Sequence, residues 1–186
     1  MLAADDIVLQ IDGAALRLRP SLRAAVRLER RFGGFSGLLQ AIGEGSVSAL
    51  VALAVECGEP GAEAIILAPS AEPWSVRLDR LAPQLADLTL SLADVDPQAK
   101  PGPRIERPST GRTITHAEAL AELFGVATGV LGWPPAVAWA ATPAEIRAAL
   151  TEKFKIIRAE NGIPEPEEDD LFPELDSEGL AELARM

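Results

Sequence analysis

Apolar residues alternate with others near the start of the chain. Ile7, Leu9 and Ile11 are separated by Val8 and Gln10, and Leu16 and Leu18 by Arg17. A period of two is the spacing of a strand with one covered face. Between the two runs stands Asp12-Gly13, a pair that tolerates positive φ at both centres of a tight turn. Residues 7–18 therefore predict a β-hairpin. A lone hairpin is marginal in water, so it must lie on the helices after it or pair its edge with another chain.

The spacing then changes to that of helices. Pro20 suits the first turn of one. Leu22, Ala25, Val26 and Phe32 fall on one face, and Gly33-Gly34 ends it. Phe35, Leu38, Leu39 and Ile42 make a second stripe, bracketed by Gly43 and Gly45. Ser46 can cap a third helix with Val47, Leu50, Val51, Ala54 and Val55 on one face. Glu59-Pro60-Gly61 reads as a turn, residues 62–68 as a short helix, and Pro69 and Pro73 as its end. Leu78, Leu81, Leu85, Leu88 and Leu92 then recur at helical steps, with Pro83 expected to begin or kink a helix there. Two heptads are too few for a coiled coil. The stripe reads as a core face, with a partner-helix surface as the sharper alternative.

Residues 94–112 hold four prolines and two glycines among polar groups, the pattern of a linker. Beyond it, Thr115-x-x-Glu118 is a capping box. Leu120, Leu123, Phe124, Ala127, Val130 and Leu131 come next at helical spacing, and Gly132 is the stop. Pro134-Pro135 can open a short helix reaching Trp139. A second capping box, Thr142-x-x-Glu145 with Pro143 at the first helical position, starts the last strong helix. Its expected core face is Ile146, Ala149, Leu150, Phe154 and Ile157, and Asn161-Gly162 ends it. An acidic stretch and a short helix over 176–184 complete the reading.

The expected fold is mainly α. An N-terminal β-hairpin with a small helical bundle (1–93) is joined by the Pro/Gly-rich linker (94–112) to a second small helical unit (113–161). An acidic tail (162–186) closes the chain.

Composition narrows the function classes. The chain has 186 residues, 48% of them hydrophobic and 4% aromatic, so an aliphatic core is expected. The net charge is −11, but residues 159–184 carry ten acids and no Lys or Arg, while the rest holds eighteen acids and seventeen bases. A near-neutral body offers no basic surface to phosphates, so nucleic acid is not an expected partner. Asp5 and Asp6 stand where a secretory signal would need bases, and no apolar run approaches ~18 residues. Neither a signal nor a membrane span is expected, and the chain is placed in the cytoplasm.

Residues able to do chemistry are few. Cys57 is the only cysteine and His116 the only histidine. The cysteine sits in an apolar run and reads as a buried structural thiol. The histidine reads as an exposed first-turn residue. Glu165, Glu167, Glu168, Asp169 and Asp170 lack the spacing and glycine of a calcium loop and read as a solvated tail. No phosphate-binding glycine motif is present. Neither a cofactor, a metal nor an enzymatic activity is expected. Trp133 and Trp139 read either as bracing for a small helical unit or as an aromatic contact for a partner.

Two segments resemble known families. Leu18-Arg19-Pro20-Ser21-Leu22, with Leu28-Glu29, Phe32-Gly33-Gly34, Leu38-Leu39 and Gly45, resembles a tail-protein family of gene transfer agents and related phages. Gly129, Leu131, Pro135, Trp139, Thr142, Pro143, Glu145 and Ile146 resemble the pattern of small phage tail assembly chaperones. Ala138 and the acidic extension depart from that second pattern. Two such proteins are encoded side by side in tail gene clusters, and here they are joined in one chain. The motif residues are Arg19, Pro20, Leu22, Leu28, Glu29, Phe32 and Gly33 in the first segment. In the second they are Leu131, Trp133, Pro135, Trp139, Thr142, Pro143, Glu145, Ile146 and Leu150.

The resemblance implies a non-enzymatic assembly factor of a prophage or gene transfer agent. It would bind the tape-measure protein, and tail-tube subunits as a further partner, and keep the tape measure soluble until the tube forms. Self-association as a homo-oligomer stays open. The alternative role is a structural minor or connector protein retained in the particle.

Overall fold

A computed structural model of the chain describes residues 6–93 and 115–161. The expected linker, the acidic tail and its short helix lie outside the described residues.

The hairpin forms as its alternation requires. β1 (Ile7–Ile11) pairs antiparallel with β2 (Ala14–Leu18), with Ile7 opposite Leu18 and Ile11 opposite Ala14. Asp12 (φ 48°) and Gly13 (φ 83°) both take left-handed backbone at the turn. Leu9, Ile11, Leu16 and Leu18 bury one face.

α1 (Leu22–Phe32) is capped by Ser21, whose Oγ accepts from the Ala24 N–H at 3.2 Å. Pro20 thus sits outside the cap rather than in the first turn, because a serine hydroxyl satisfies an end amide and proline offers no such acceptor. Gly33 closes α1 in left-handed backbone (φ 67°), and α2 (Phe35–Gly43) comes next.

Ser46 caps α3 (Val47–Cys57), but the helix is rotated from the expected face. Ala49, Leu50, Ala52, Leu53, Ala54 and Cys57 are buried, while Val47 and Val55 are exposed. Alanines let neighbouring backbones approach closely, and α3 touches α1, α2 and β2 as well as α4 (Ala62–Leu67). A helix covered from several sides buries its small residues rather than one stripe of valines.

α5 (Trp74–Leu92) carries all five leucines of the stripe into the core. It already begins at Trp74, so Pro83 does not start it. Proline in this interior position withholds the amide that the Asp79 carbonyl would otherwise accept.

α6 (His116–Gly125) opens with both halves of the expected capping box. It runs directly into a π turn at Val126–Val130. The wider turn shifts the register of the residues after Gly125. Val130 is therefore exposed, although Ala127 stays buried and Phe124 and Leu131 half-buried. Gly132 (φ 71°) is the stop. α7 (Pro135–Ala140) and α8 (Pro143–Glu160) are the last elements among the described residues.

The chain divides into two compact units, Met1–Leu150 and Thr151–Met186. In the first, α1 is the central element, packed against α2, α3, α5, α6 and α7. The hairpin lies on α5 through β1 and on α3 and α4 through β2. One core continues from Leu9 to Ile146. On α8 only Pro143 and Ile146 are buried, and Ala149 and Leu150 are half-buried. Phe154 (51%) and Ile157 (38%) are exposed, contrary to the expected core face. The first unit ends at Leu150, and Phe154 and Ile157 belong to the second.

Candidate interaction site

The two short motifs of the sequence meet in space. Arg19 leaves β2 with its amide bonded to the Cys57 carbonyl at 2.8 Å. Its Nη2 donates to both oxygens of Glu145, at 2.7 and 2.9 Å. Nη1 reaches Asp6 at 3.4 Å, and Nε donates to the Ala140 carbonyl at 3.3 Å. The planar fork of a guanidinium suits such a set of acceptors, and a lysine could not reproduce it.

Glu145 is in place because of its own cap. Its carboxylate accepts from the Thr142 N–H at 2.8 Å, and its amide donates to Thr142 Oγ1 at 3.1 Å. Thr142 is fully buried and Pro143 nearly so. The Leu22 amide, unfilled within α1, donates to the Ala141 carbonyl at 2.7 Å. A backbone bond and an ion pair in which one guanidinium nitrogen meets both carboxylate oxygens therefore lock Arg19-Pro20-Ser21-Leu22 onto Ala140–Glu145.

The remaining motif residues divide by position. Trp139 stacks on Phe124, with ring centroids 4.3 Å apart at 23°. Trp133 donates its amide to the Ala127 carbonyl at 2.9 Å, and its side chain packs half-buried on the core. Pro135 is the exposed first residue of α7, while Leu131 and Leu150 are half-buried. Leu28 is buried, Glu29 supplies the carbonyl that ends α1, and Phe32 lies under Arg31. Those residues and Gly33 lie toward the C-terminal end of α1, roughly 9 to 16 Å along the axis from Leu22 at ~1.5 Å per residue, and take no part in the junction.

A shallow cleft of about 510 Å³ opens here, lined by Asp6, Arg17, Arg19, Arg23, Glu56 and Trp139 among others. Its charges oppose one another. Cys57 also borders it, but burial, and then the Glu56 charge, push its thiol up to about 12. A thiol so held is not a nucleophile near neutral pH. His116 stands edge-on to Phe35 at 5.7 Å, and so joins the start of α6 to α2. Among the described residues no three His, Cys, Asp or Glu side chains gather as a metal site. No described helix is long and apolar enough to cross a membrane. The arrangement can hold surfaces together and present apolar and charged groups to a protein.

Sequence spacing misses three members of this site. Asp6 and Ala141 carry no motif signal. Gly58 is the third: a Cβ there would meet the Ala54 oxygen at 2.5 Å and the Ala62 Cβ at 2.6 Å. Its position beside Leu18, which it pairs with in an isolated bridge, depends on having no side chain.

No curated protein and no solved structure matches the chain. A family model does. Residues 118–156, from the second member of the first capping box to the fourth turn of α8, are similar to the family described as phage tail assembly chaperone protein, TAC, which supports a role in phage tail assembly for this part of the chain.

Proposed function

We propose that this chain is a tail assembly chaperone of a prophage or gene transfer agent that binds the tape-measure protein and keeps it soluble. On this reading it acts in the bacterial cytoplasm, catalyses no reaction and leaves before the particle is complete. Residues 1–93 take the part of the neighbouring gene-transfer-agent tail protein. The observation that carries the reading is the chaperone-family match over 118–156. That segment holds Trp133, Trp139 and the second capping box.

The physical case is one of covering apolar surface. An unassembled tape measure exposes long apolar helical stripes that aggregate, and short amphipathic helices can cover such stripes. Val130 and Val137 are exposed on the family segment, as are Phe154, Ile156 and Ile157 on α8.

The test is co-expression with the tape-measure protein encoded beside it. The chaperone reading expects soluble tape measure only in the presence of this chain, and absence of this chain from purified particles by mass spectrometry. An equally insoluble tape measure with and without the chain sinks it. Stoichiometric retention in particles points to the structural role instead.

A further inference from the structure

Phe154 and Ile157 are exposed one turn apart on α8, and residues three apart share a helix face. Helical geometry sets Arg158 beside Phe154 on one border of that face and Lys153 beside Ile157 on the other. Glu152 lies on the opposite side of the helix, where it accepts from Lys155 at 2.7 Å. The other acid of this stretch, Glu160, stands at the helix end. The face is thus a short apolar strip with a basic residue on each border.

An occupant of this strip has to bring apolar side chains with acids next to them. A second α8 end does not, because the borders of both copies are basic and like charges would oppose one another. The sequence beyond α8 does. Residues 162–186 hold nine acids and one base, Arg185. Within them, Glu168-Asp169-Asp170-Leu171-Phe172-Pro173-Glu174-Leu175 sets three large apolar residues among four acids.

The tether favours the same occupant. Asn161 closes α8, its amide and its Nδ2 both donating to the Ile157 carbonyl, at 3.1 and 2.7 Å. Gly162 comes next in sequence, and glycine permits a chain to turn sharply. From Asn161 back to Phe154 is seven residues, about 10 Å along the axis at ~1.5 Å each. From Asn161 on to Leu171 is ten residues, which span up to ~33 Å. The acidic segment therefore reaches the strip with slack. So short a tether holds it at an effective concentration on the order of a millimolar, which a free peptide has to outcompete. Both segments also belong to the second compact unit, Thr151–Met186.

We propose that residues 168–175 dock in cis on the Phe154–Ile157 strip of α8. Leu171 and Phe172 rest on the two apolar residues, and Asp169, Asp170 and Glu174 face Lys153 and Arg158. The chain thereby shields an apolar surface with its own acidic segment. The contact stands apart from the chaperone reading. On that reading, the segment is what a partner's apolar stripe has to displace.

A nitroxide attached at Ser177→Cys in the full chain tests this, buried Cys57 being left in place. Its relaxation enhancement is read at the ¹⁵N amides of residues 153–158. The expected result is strong broadening of those amides, reduced to the level of the bare tether when Leu171→Ser and Phe172→Ser are combined. Phe154→Asp, at an exposed position where unchanged circular dichroism verifies the fold, should reduce it likewise, and high salt should weaken it. Nitroxide-bearing ¹⁴N chain mixed with unlabelled ¹⁵N chain should give no broadening. Equal broadening in the unsubstituted chain and in either variant overturns the proposal. Broadening in the mixed sample overturns it in favour of a second copy. None of these outcomes bears on whether the chain solubilises the tape measure.

Discussion

The guanidinium of Arg19 meets both oxygens of Glu145, at 2.7 and 2.9 Å, and the same carboxylate is half of the cap on α8. One side chain thus serves a local amide three residues away and a partner at the other end of the fold. A double-mutant cycle with Arg19→Ala and Glu145→Ala should give a coupling of about 1 kcal/mol in urea unfolding, the upper end for partly exposed pairs. Glu145→Ala should cost about 1 kcal/mol more than Arg19→Ala, because it also strands the Thr142 amide. Glu145→Gln should keep most of the cap. Additive single mutants would show that the pair contributes nothing.

Trp139 braces the family segment by stacking on Phe124. Trp139→Ala should lower stability by about 2 kcal/mol or more, and loss of partner binding should track loss of helicity. On the proposed function the partner is the tape-measure protein, and thermal melts and its pull-down measured together decide the order. A variant with normal melting and no binding would make the ring a direct contact instead.

Cys57 gives the fold a pH dependence on the alkaline side. The free thiol titrates near 9.0, and burial moves the folded value to about 12. Below the lower value both states hold the proton and the residue adds no slope. Between the two, the unfolded chain releases its proton first, so stability falls as pH rises. Unfolding free energies from pH 8 to 11 should show this fall, and Cys57→Ala should lessen it. Rapid reaction of the native thiol with a disulfide reagent at pH 8 would contradict the burial.

Gly58 tolerates no side chain. A Cβ at 2.5 Å from the Ala54 oxygen and 2.6 Å from Ala62 forces backbone movement where β2, α3 and α4 meet. Gly58→Ala should destabilise by about 1–3 kcal/mol, whereas Gly43→Ala, where a Cβ meets nothing, should not. Equal melting temperatures for the two variants would refute the close approach.

What local chemistry governs was legible in the residues. Asp12-Gly13 announces its turn, Ser46, Thr115 and Thr142 announce their helix starts, and the five leucines of α5 announce a covered face. What depends on packing was not. The face of α3 is chosen by neighbours on several sides, which period alone does not register. The π turn at Val126–Val130 breaks a stripe that assumes a constant helical step. Phe154 and Ile157 keep core spacing where the first unit has ended. Arg19 and Glu145 each stood in a short motif, yet nothing in either motif names the other. Long-range pairing leaves no periodic trace.

The Leu22 amide turns this geometry into a reporter. A helix's first amide ordinarily exchanges with water freely, but this one is held by the Ala141 carbonyl at 2.7 Å. Its proton can be slow to exchange only while the α7–α8 connection rests on α1. Hydrogen exchange at that single site therefore reads the opening of the family segment from the opposite half of the chain, and a rate matching that of the α1 interior would mark the two as one cooperative folding unit.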